Sequence, residues 1–259
     1  MQERHKNRKL YFDEQSYTTS KYVIPYISKF KSMDGNTKVL EIGCGEGGNL
    51  KPFVDMGCQC VGIDLNEQQI HNAELYFSED EHCDNVKFIY SAIYDITPEE
   101  NQYDVIMLRD VIEHIHNQER FMAFVKGFMK PDGVIFFAFP PWFMPFGGHQ
   151  QICVHKISKV PFIHLLSKGA YKWLLKTCGE NEGTIESLLE IKETGITMER
   201  FERIVKKEKF SILNKTSYFI NPNYEIKFHL RPRKVLPVLK SIPYLRDVDT
   251  TAGYYLLKK

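Results

Sequence analysis

Glu41, Gly43, Gly45, Gly47 and Asp64 carry the clearest chemical signal in the chain. They lie in Val39-Leu40-Glu41-Ile42-Gly43-Cys44-Gly45-Glu46-Gly47-Gly48-Asn49-Leu50 and in Val61-Gly62-Ile63-Asp64. The pattern reads as a buried strand, a glycine turn, a helix start, a second buried strand and an acid at its tip. Glycines let backbone approach a ligand with no Cβ in the way. A carboxylate at the next strand tip can grip the two hydroxyls of a ribose. The front half is therefore expected to hold a nucleoside-containing cofactor. Gly43, Gly45 and Gly48 also satisfy the dinucleotide pattern G-x-G-x-x-G, with Asp64 about 20 residues on. Glu41 argues against that rival. A negative charge two residues before the first glycine suits an ammonium and a sulfonium, and would repel a pyrophosphate.

Two histidines are candidate proton acceptors. His114 follows Asp110-Val111-Ile112-Glu113, and His149 sits in Pro145-Phe146-Gly147-Gly148-His149-Gln150-Gln151. A near-neutral imidazole there can take a proton from a hydroxyl. Each has a competing structural role: His114 as an anchor for its turn, His149 as part of a plain glycine turn. Six cysteines, at 44, 58, 60, 83, 153 and 178, fit neither a zinc finger nor a disulfide framework. Cys44 reads as a small spacer within the glycine turn.

Strands alternate with helices from residue 38 to residue 139, which means βαβ crossovers and a parallel sheet. The strands are expected at 38–42, 60–64, 86–90, 104–108 and 134–139. Helices are expected at 48–56, at 66–77 with Asn66 as N-cap, and at 118–129. A turn is expected at Lys130-Pro131-Asp132-Gly133. Before the sheet, 1–13 reads as a loose polar arm and 16–30 as a helix that Pro25 kinks or splits. The rhythm breaks at 140–197 and again at 220–248. Between the breaks, 198–208 reads as a helix and 210–219 as a strand; 252–257 closes the chain as a strand.

These segments resemble the class I S-adenosylmethionine-dependent methyltransferases. Glu41-x-Gly43-x-Gly45-x-Gly47 is similar to that family's first motif, and Asp64 to its ribose-binding acid. Val86 to Ala92 resembles its third strand and adenine-contacting turn. Tyr103 to Leu108 resembles the fourth strand, Asp110 to Ile115 the V-L/I-E-H segment, and Met129 to Phe136 the L-K-P-G-G turn into the fifth strand. The resemblance covers roughly residues 36 to 140 and the last strand. It implies an α/β fold: a Rossmann-like, seven-stranded, mostly parallel sheet with an antiparallel last strand between strands 5 and 6, helices on both faces, and inserted lid elements. It implies a methyltransferase domain at 36–259, a helical arm at 1–35 over the cofactor, and insertions 140–197 and 220–248 capping the acceptor site.

For the site, the resemblance implies S-adenosylmethionine as cofactor and S-adenosylhomocysteine as product. Glu41, Gly43, Cys44 and Gly45 would face the methionine moiety, and Asp64 the ribose. Leu65, Ser91, Ala92 and Ile93 would line the adenine, and Leu108 and Arg109 the methionyl tail. Ser91 departs from the pattern, since the family often has an aspartate there; Asp95 is the substitute candidate. Arg109 would pair with the cofactor carboxylate or lie exposed on the surface. His149 and His114 are the catalytic candidates. Asp110, Glu113, His114 and His149 are also similar to the metal-binding set of small-RNA 3′-end 2′-O-methyltransferases and of ubiquinone-biosynthesis O-methyltransferases. The E-H pair recurs without metal, so no metal is assigned.

Composition narrows the partner. The net charge is +1 and 43% of residues are hydrophobic. A duplex nucleic-acid binder would carry a basic face. The apolar residues of the first insertion, Trp142 to Phe146, Val160 to Leu166, Tyr171, Trp173, Leu174 and Leu175, suit a water-excluding lid, an ordinary core or a contact with a membrane surface. Arg231, Arg233 and Lys234, with Lys227, form a small basic group that suits a phosphate, a carboxylate or plain solvent. The charged start and the lack of an apolar run near ~18 residues argue against a signal peptide and a spanning helix. The expected protein is a cytoplasmic enzyme that methylates a small molecule, with oxygen as the expected acceptor atom. An RNA or protein methyltransferase and a non-catalytic cofactor binder are the alternatives. Oligomeric state is left open.

Overall fold

The computed structural model describes residues 7–98 and 102–259. Among these residues eight strands form one sheet: β1 Lys38–Ile42, β2 Gln59–Asp64, β3 Val86–Tyr90, β4 Tyr103–Arg109, β5 Met129–Phe139, β6 Ser211–Ile220, β7 Arg233–Lys234 and β8 Ala252–Lys258. Their order is β3-β2-β1-β4-β5-β8-β6-β7. The first five pair in parallel, and β8 runs antiparallel between β5 and β6. The expected architecture stands, with one addition. The two-residue β7 pairs antiparallel with β6 at the sheet edge. Two residues are too few to give a readable alternation.

Side-chain alternation sorts the strands into two cores. Leu40, Ile42, Ile106, Leu108, Ile135, Phe137, Tyr255 and Leu257 face one way. They pack with Phe121, Met122 and Val125 of α5 (Gln118–Val125) and with Phe201, Ile204 and Val205 of α8 (Met198–Lys207). Val39, Val105, Met107, Phe136, Tyr254 and Leu256 face the other way. There they meet the N-terminal helices, α3 (Lys51–Asp55) and α4 (Glu67–Phe77). Continuous apolar runs in β4 and β5 are what burial on both faces demands.

The N-terminal segment differs from the expected loose arm. Residues 1–6 lie outside the described residues, but α1 spans Arg8–Thr18, its N-terminus capped by Asn7, whose side chain accepts from the Leu10 amide at 3.1 Å. Little of α1 is apolar, which hid it. It continues through a π-helical turn, Thr19–Val23, into α2, Ile24–Ile27, with Pro25 in the first turn of α2. Pro25 lacks an amide hydrogen, and a π-turn is one way to accommodate that. Residues 130–133 are a bulge within β5, not a free turn: Met129 pairs with Tyr103 and Val134 with Val105. Asp104 fills the bulge, accepting from the Lys38 amide at 2.9 Å and from Lys130 at 2.7 Å.

The insertion after β5 builds its own small core. Cys153 packs with Tyr171 and Leu175 of α6 (Lys168–Thr177) and with Ile185, Leu188 and Leu189 of α7 (Glu182–Thr194). The second insertion holds α9 (Asn223–Phe228), α10 (Pro237–Lys240) and α11 (Leu245–Val248). It is tied to α8 through carboxylates. Glu199 accepts from the Tyr244 amide at 2.9 Å and from Arg246 Nε at 2.8 Å. Asp247, fully buried, faces Glu199, Glu202 and Arg246, and burial pushes its carboxyl up to about 7.

An unfolded aspartate ionises near 3.8, so folding takes up a proton between about pH 4 and about pH 7, and this group's contribution to stability is lost as pH rises through that window. Asp247→Asn should flatten that fall. Urea unfolding at about pH 5 and about pH 8 should show the variant gaining on the wild type at the higher pH by on the order of a few kcal/mol.

Candidate functional site

The carboxyl ends of β1, β2, β3 and β4 lie side by side, as the pairing of Ile42 with Ile63, Asp64 with Tyr90 and Glu41 with Met107 shows. This is where ligands bind in open α/β sheets. The glycine turn folds onto the tip of β2: the Gly43 and Cys44 amides donate to the Ile63 carbonyl at 2.8 and 3.1 Å. Gly43 has φ +72°, and a Cβ there would stand 2.5 Å from a Val111 methyl. Only glycine meets both conditions.

Asp64 is already oriented. Its two oxygens accept from the Gly45 and Asn66 amides, each at 2.8 Å. A carboxylate oxygen has a second lone pair, so both can still accept from a diol. Leu65, beside it, is 73% exposed, an apolar side chain standing open at the strand tip. Ser91 continues from β3, its amide on the Asp64 carbonyl at 3.1 Å and its hydroxyl on the Ala92 carbonyl at 3.1 Å. Ala92 is half-buried and Ile93 buried. Asp64, Leu65, Ser91, Ala92 and Ile93 therefore sit together on the adjoining ends of β2 and β3. Cys44 is buried, and burial pushes its thiol well above the usual range. That suits a spacer and not a nucleophile.

Glu41 is strongly perturbed as well. It is completely buried, and burial pushes its carboxyl up to about 8. Asn49 donates to one oxygen at 2.6 Å; the other oxygen has no hydrogen-bond partner among the described residues. Arg109 is buried, which settles the open choice about it against a surface position. It donates to Asn49, to Thr19 at 2.8 Å and to Asn223 of α9 at 2.7 Å. It thus joins β4, the N-terminal segment, the glycine turn and the second insertion. Leu108 puts its side chain into the core, so only its backbone faces the strand tips. Thr19, Asn49 and Asn223 belong to no motif, and no sequence signal marked them. The cofactor of a sulfonium–ammonium type fits these residues: the orphaned, buried Glu41 oxygen is what an ammonium would satisfy.

The N-terminal helix lies on the glycine turn. Arg8 forms a two-pronged ion pair with the buried Glu46, one contact at 2.6 Å. A Cβ on Gly48 would stand 2.5 Å from the Phe12 carbonyl oxygen.

A second cluster stands beyond the ends of β4 and β5. Asp110 has φ +55° and donates its amide to the Ala138 carbonyl at 2.8 Å. Glu113 follows in a single 3-10 turn and is 2% exposed, with neither carboxylate oxygen hydrogen-bonded among the described residues. His149 Nε2 lies 3.9 Å and His114 Nε2 4.0 Å from Glu113 Oε1. The two imidazole rings are 5.1 Å apart. Burial and the Asp110 charge push the Glu113 carboxyl well up. Burial, then the neighbouring His114 and His164, pull His149 down to about 4. His149 is therefore a neutral imidazole at neutral pH. The sequence reading assigned no metal; the fold gives Glu113, His114 and His149 ligand atoms all within 4.8 Å of one another. One carboxylate and two imidazoles fit a divalent transition metal.

Packing holds His149 in place. It has φ +57°, and Gly148 before it lies against buried His164, where a Cβ would come within 2.3 Å of the His164 Cβ. His164 Nε2 in turn meets the Trp142 carbonyl at 2.8 Å. Gly148→Ala should therefore displace His149. Steady-state kinetics should show at least about a tenfold fall in kcat, with cofactor affinity changed by no more than about twofold.

Comparison with known proteins agrees with this geometry. A family model described as a methyltransferase domain matches residues 14–179, more than half of the chain. The chain therefore belongs to the methyltransferase-domain family, among the class I S-adenosylmethionine-dependent methyltransferases. The cofactor of this class is S-adenosylmethionine. The chain is 32% identical over 101 residues to a ubiquinone biosynthesis O-methyltransferase of Rhodopseudomonas palustris (strain BisB5), spanning 39% of either chain. It thus spans well under half the length of such curated relatives. Two solved structures share the fold. One is a putative sarcosine dimethylglycine methyltransferase from Galdieria sulphuraria, with TM-score 0.59, 17% identity, and 93% and 85% of the two chains covered. The other is the plantazolicin methyltransferase in complex with S-adenosylhomocysteine, with TM-score 0.53, 13% identity, and 96% and 83% covered. No helix among the described residues is long and apolar enough to cross a membrane.

Proposed function

We propose that this chain transfers a methyl group from S-adenosylmethionine to a hydroxyl of a small-molecule acceptor. The observation that carries this reading is the Glu113–His114–His149 cluster beside the strand tips. When bound, the cofactor supplies a methyl group activated by its sulfonium. Glu41 and the Gly43 to Gly45 backbone hold the amino-acid end, and Asp64 holds the ribose. Leu65, Ser91, Ala92 and Ile93 bound the adenine. Arg109, hydrogen-bonded to three side chains, positions Asn49 and through it Glu41. The N-terminal helix covers the cofactor, and insertions 140–197 and 220–248 cap the acceptor.

His149 accepts the acceptor hydroxyl's proton, and the imidazolium so formed faces Glu113. A base pulled this low is weak alone. Glu113, 3.9 Å from Nε2, stabilises its charged form when ionised, which makes the cluster the unit that works. A second reading rests on the same donor set: Glu113, His114 and His149 would hold a divalent cation, which would supply charge to a developing alkoxide. The relatives' names, O-methyltransferases of ubiquinone biosynthesis, support oxygen as the methylated atom.

The test is a transfer assay with methyl-labelled cofactor against hydroxyl, amine, carboxylate and RNA acceptors, run before and after exhaustive chelation. Label is expected on small hydroxyl compounds. Label on RNA or protein alone overturns the reading, as does cofactor binding with no turnover on any acceptor. Unchanged activity after chelation removes the cation and leaves His149 as the base.

A further inference from the structure

The first insertion carries charge of one sign. From Gly133 to Gly179 there is no aspartate, glutamate or arginine; the fixed charges are Lys156, Lys159, Lys168, Lys172 and Lys176. In a chain of net charge +1 this is a local departure. Lys168 pairs with Glu193, and Lys176 with Glu182 at 2.7 Å. Among the described residues no ion pair involves Lys156, Lys159 or Lys172.

Large apolar side chains stand out between these lysines. Val154 is 81% exposed, Trp173 68%, Ile157 53% and Val160 49%. Hydrogen bonds and the small core fix the backbone around them. Glu180 accepts from the Val154 and His155 amides, each at 2.9 Å. Buried Gln150 donates to the Pro145 carbonyl at 2.8 Å, and Cys153 is locked in the small core. On α6, Tyr171 and Leu175 occupy that core, which turns Trp173 and Lys172 to solvent.

We propose that this face docks on an anionic lipid surface. Exposed aliphatic side chains and an exposed indole, interspersed with lysines along the run, match a headgroup boundary: the apolar groups enter it and the ammoniums meet lipid phosphates. Charge complementarity selects anionic lipid, since the run from Gly133 to Gly179 holds no acid and the nearby Glu182 and Glu193 are paired with Lys176 and Lys168. Nucleic acid fits less well. Valine and isoleucine have no π-face for a base, and the run has no arginine to stack or fork onto one. A protein partner fits less well too, because such interfaces favour arginine and exclude lysine. The inference is independent of the methyl-transfer reading, since none of its residues belongs to either cluster.

The test is co-sedimentation of the full chain with phosphatidylcholine vesicles and with vesicles holding about 30% phosphatidylglycerol. Protein should pellet only with the anionic vesicles and be released at about 0.5 M salt. Trp173→Ala should weaken this partitioning by about tenfold. The double variant Lys156→Glu/Lys172→Glu should weaken it by at least about twentyfold. Far-UV circular dichroism and the melting midpoint should match the wild type. If Trp173→Ala lowers the midpoint, the double variant carries the test, because both lysines are exposed. Failure to pellet, equal pelleting with neutral vesicles, or binding that neither variant weakens overturns the proposal. So does a concentration-dependent dimer that shields Trp173, or an RNA oligonucleotide bound by the wild type and lost by the double variant while vesicles are ignored.

Discussion

Asp64→Ala is expected to weaken S-adenosylhomocysteine binding by about 10²- to 10⁴-fold. Hydrogen bonds to a charged acceptor contribute about 1.5–3 kcal/mol each, and the ribose would lose two of them. The substitution also strips the Gly45 and Asn66 amides of their acceptor, loosening the turn that faces the methionine moiety. Asp64→Asn keeps one carbonyl oxygen for one amide and should fall between. Isothermal titration reads both. Undiminished affinity in Asp64→Ala would mean that the ribose lies elsewhere. Binding of NAD in place of S-adenosylhomocysteine would mean that the glycines serve a pyrophosphate after all.

The other large effect is expected at the second cluster. His149→Ala should lower kcat by about 10²- to 10⁴-fold, the usual span for a positioned acid or base. Glu113→Ala should cost a comparable amount, because it leaves His149 facing an apolar void where a charge must be stabilised. Glu113→Gln separates charge from shape: it fills the same space without the charge and should remain impaired. Cofactor affinity should stay within about threefold in all three variants, since neither residue lies on the β1 to β3 tips. If His149→Ala keeps full kcat, the histidine is a structural part of its loop. If Glu113→Gln keeps full kcat, the carboxylate charge is not used.

Much of the scaffold was legible because its signals are local. The apolar runs of β1, β4 and β5, the acid after β2 and the Asn66 cap each report on their own neighbourhood. The bulge at 130–133 was visible as turn chemistry, but strand pairing to either side absorbed it into β5. Helix α1 was hidden because one residue in it, Phe12, supplies most of its buried apolar contact and its fixing ion pair reaches to Glu46. Individual site residues stood out for the same reason as the strands. What joined them did not. The buried Arg109 links Thr19, Asn49 and Asn223 across more than a hundred residues of chain, and only the fold brings those polar side chains together. Likewise, the spacing of Glu113, His114 and His149 puts them on two loops. Parallel pairing of β4 with β5 and the packing of Gly148 on His164 set the distances.

A crystal structure with S-adenosylhomocysteine tests the central claim most directly. The account predicts the ribose on Asp64, the amino group on the free oxygen of Glu41, and the sulfur turned toward Glu113, His114 and His149. A sulfur turned away from that cluster, or strand tips left empty by the ligand, would contradict it.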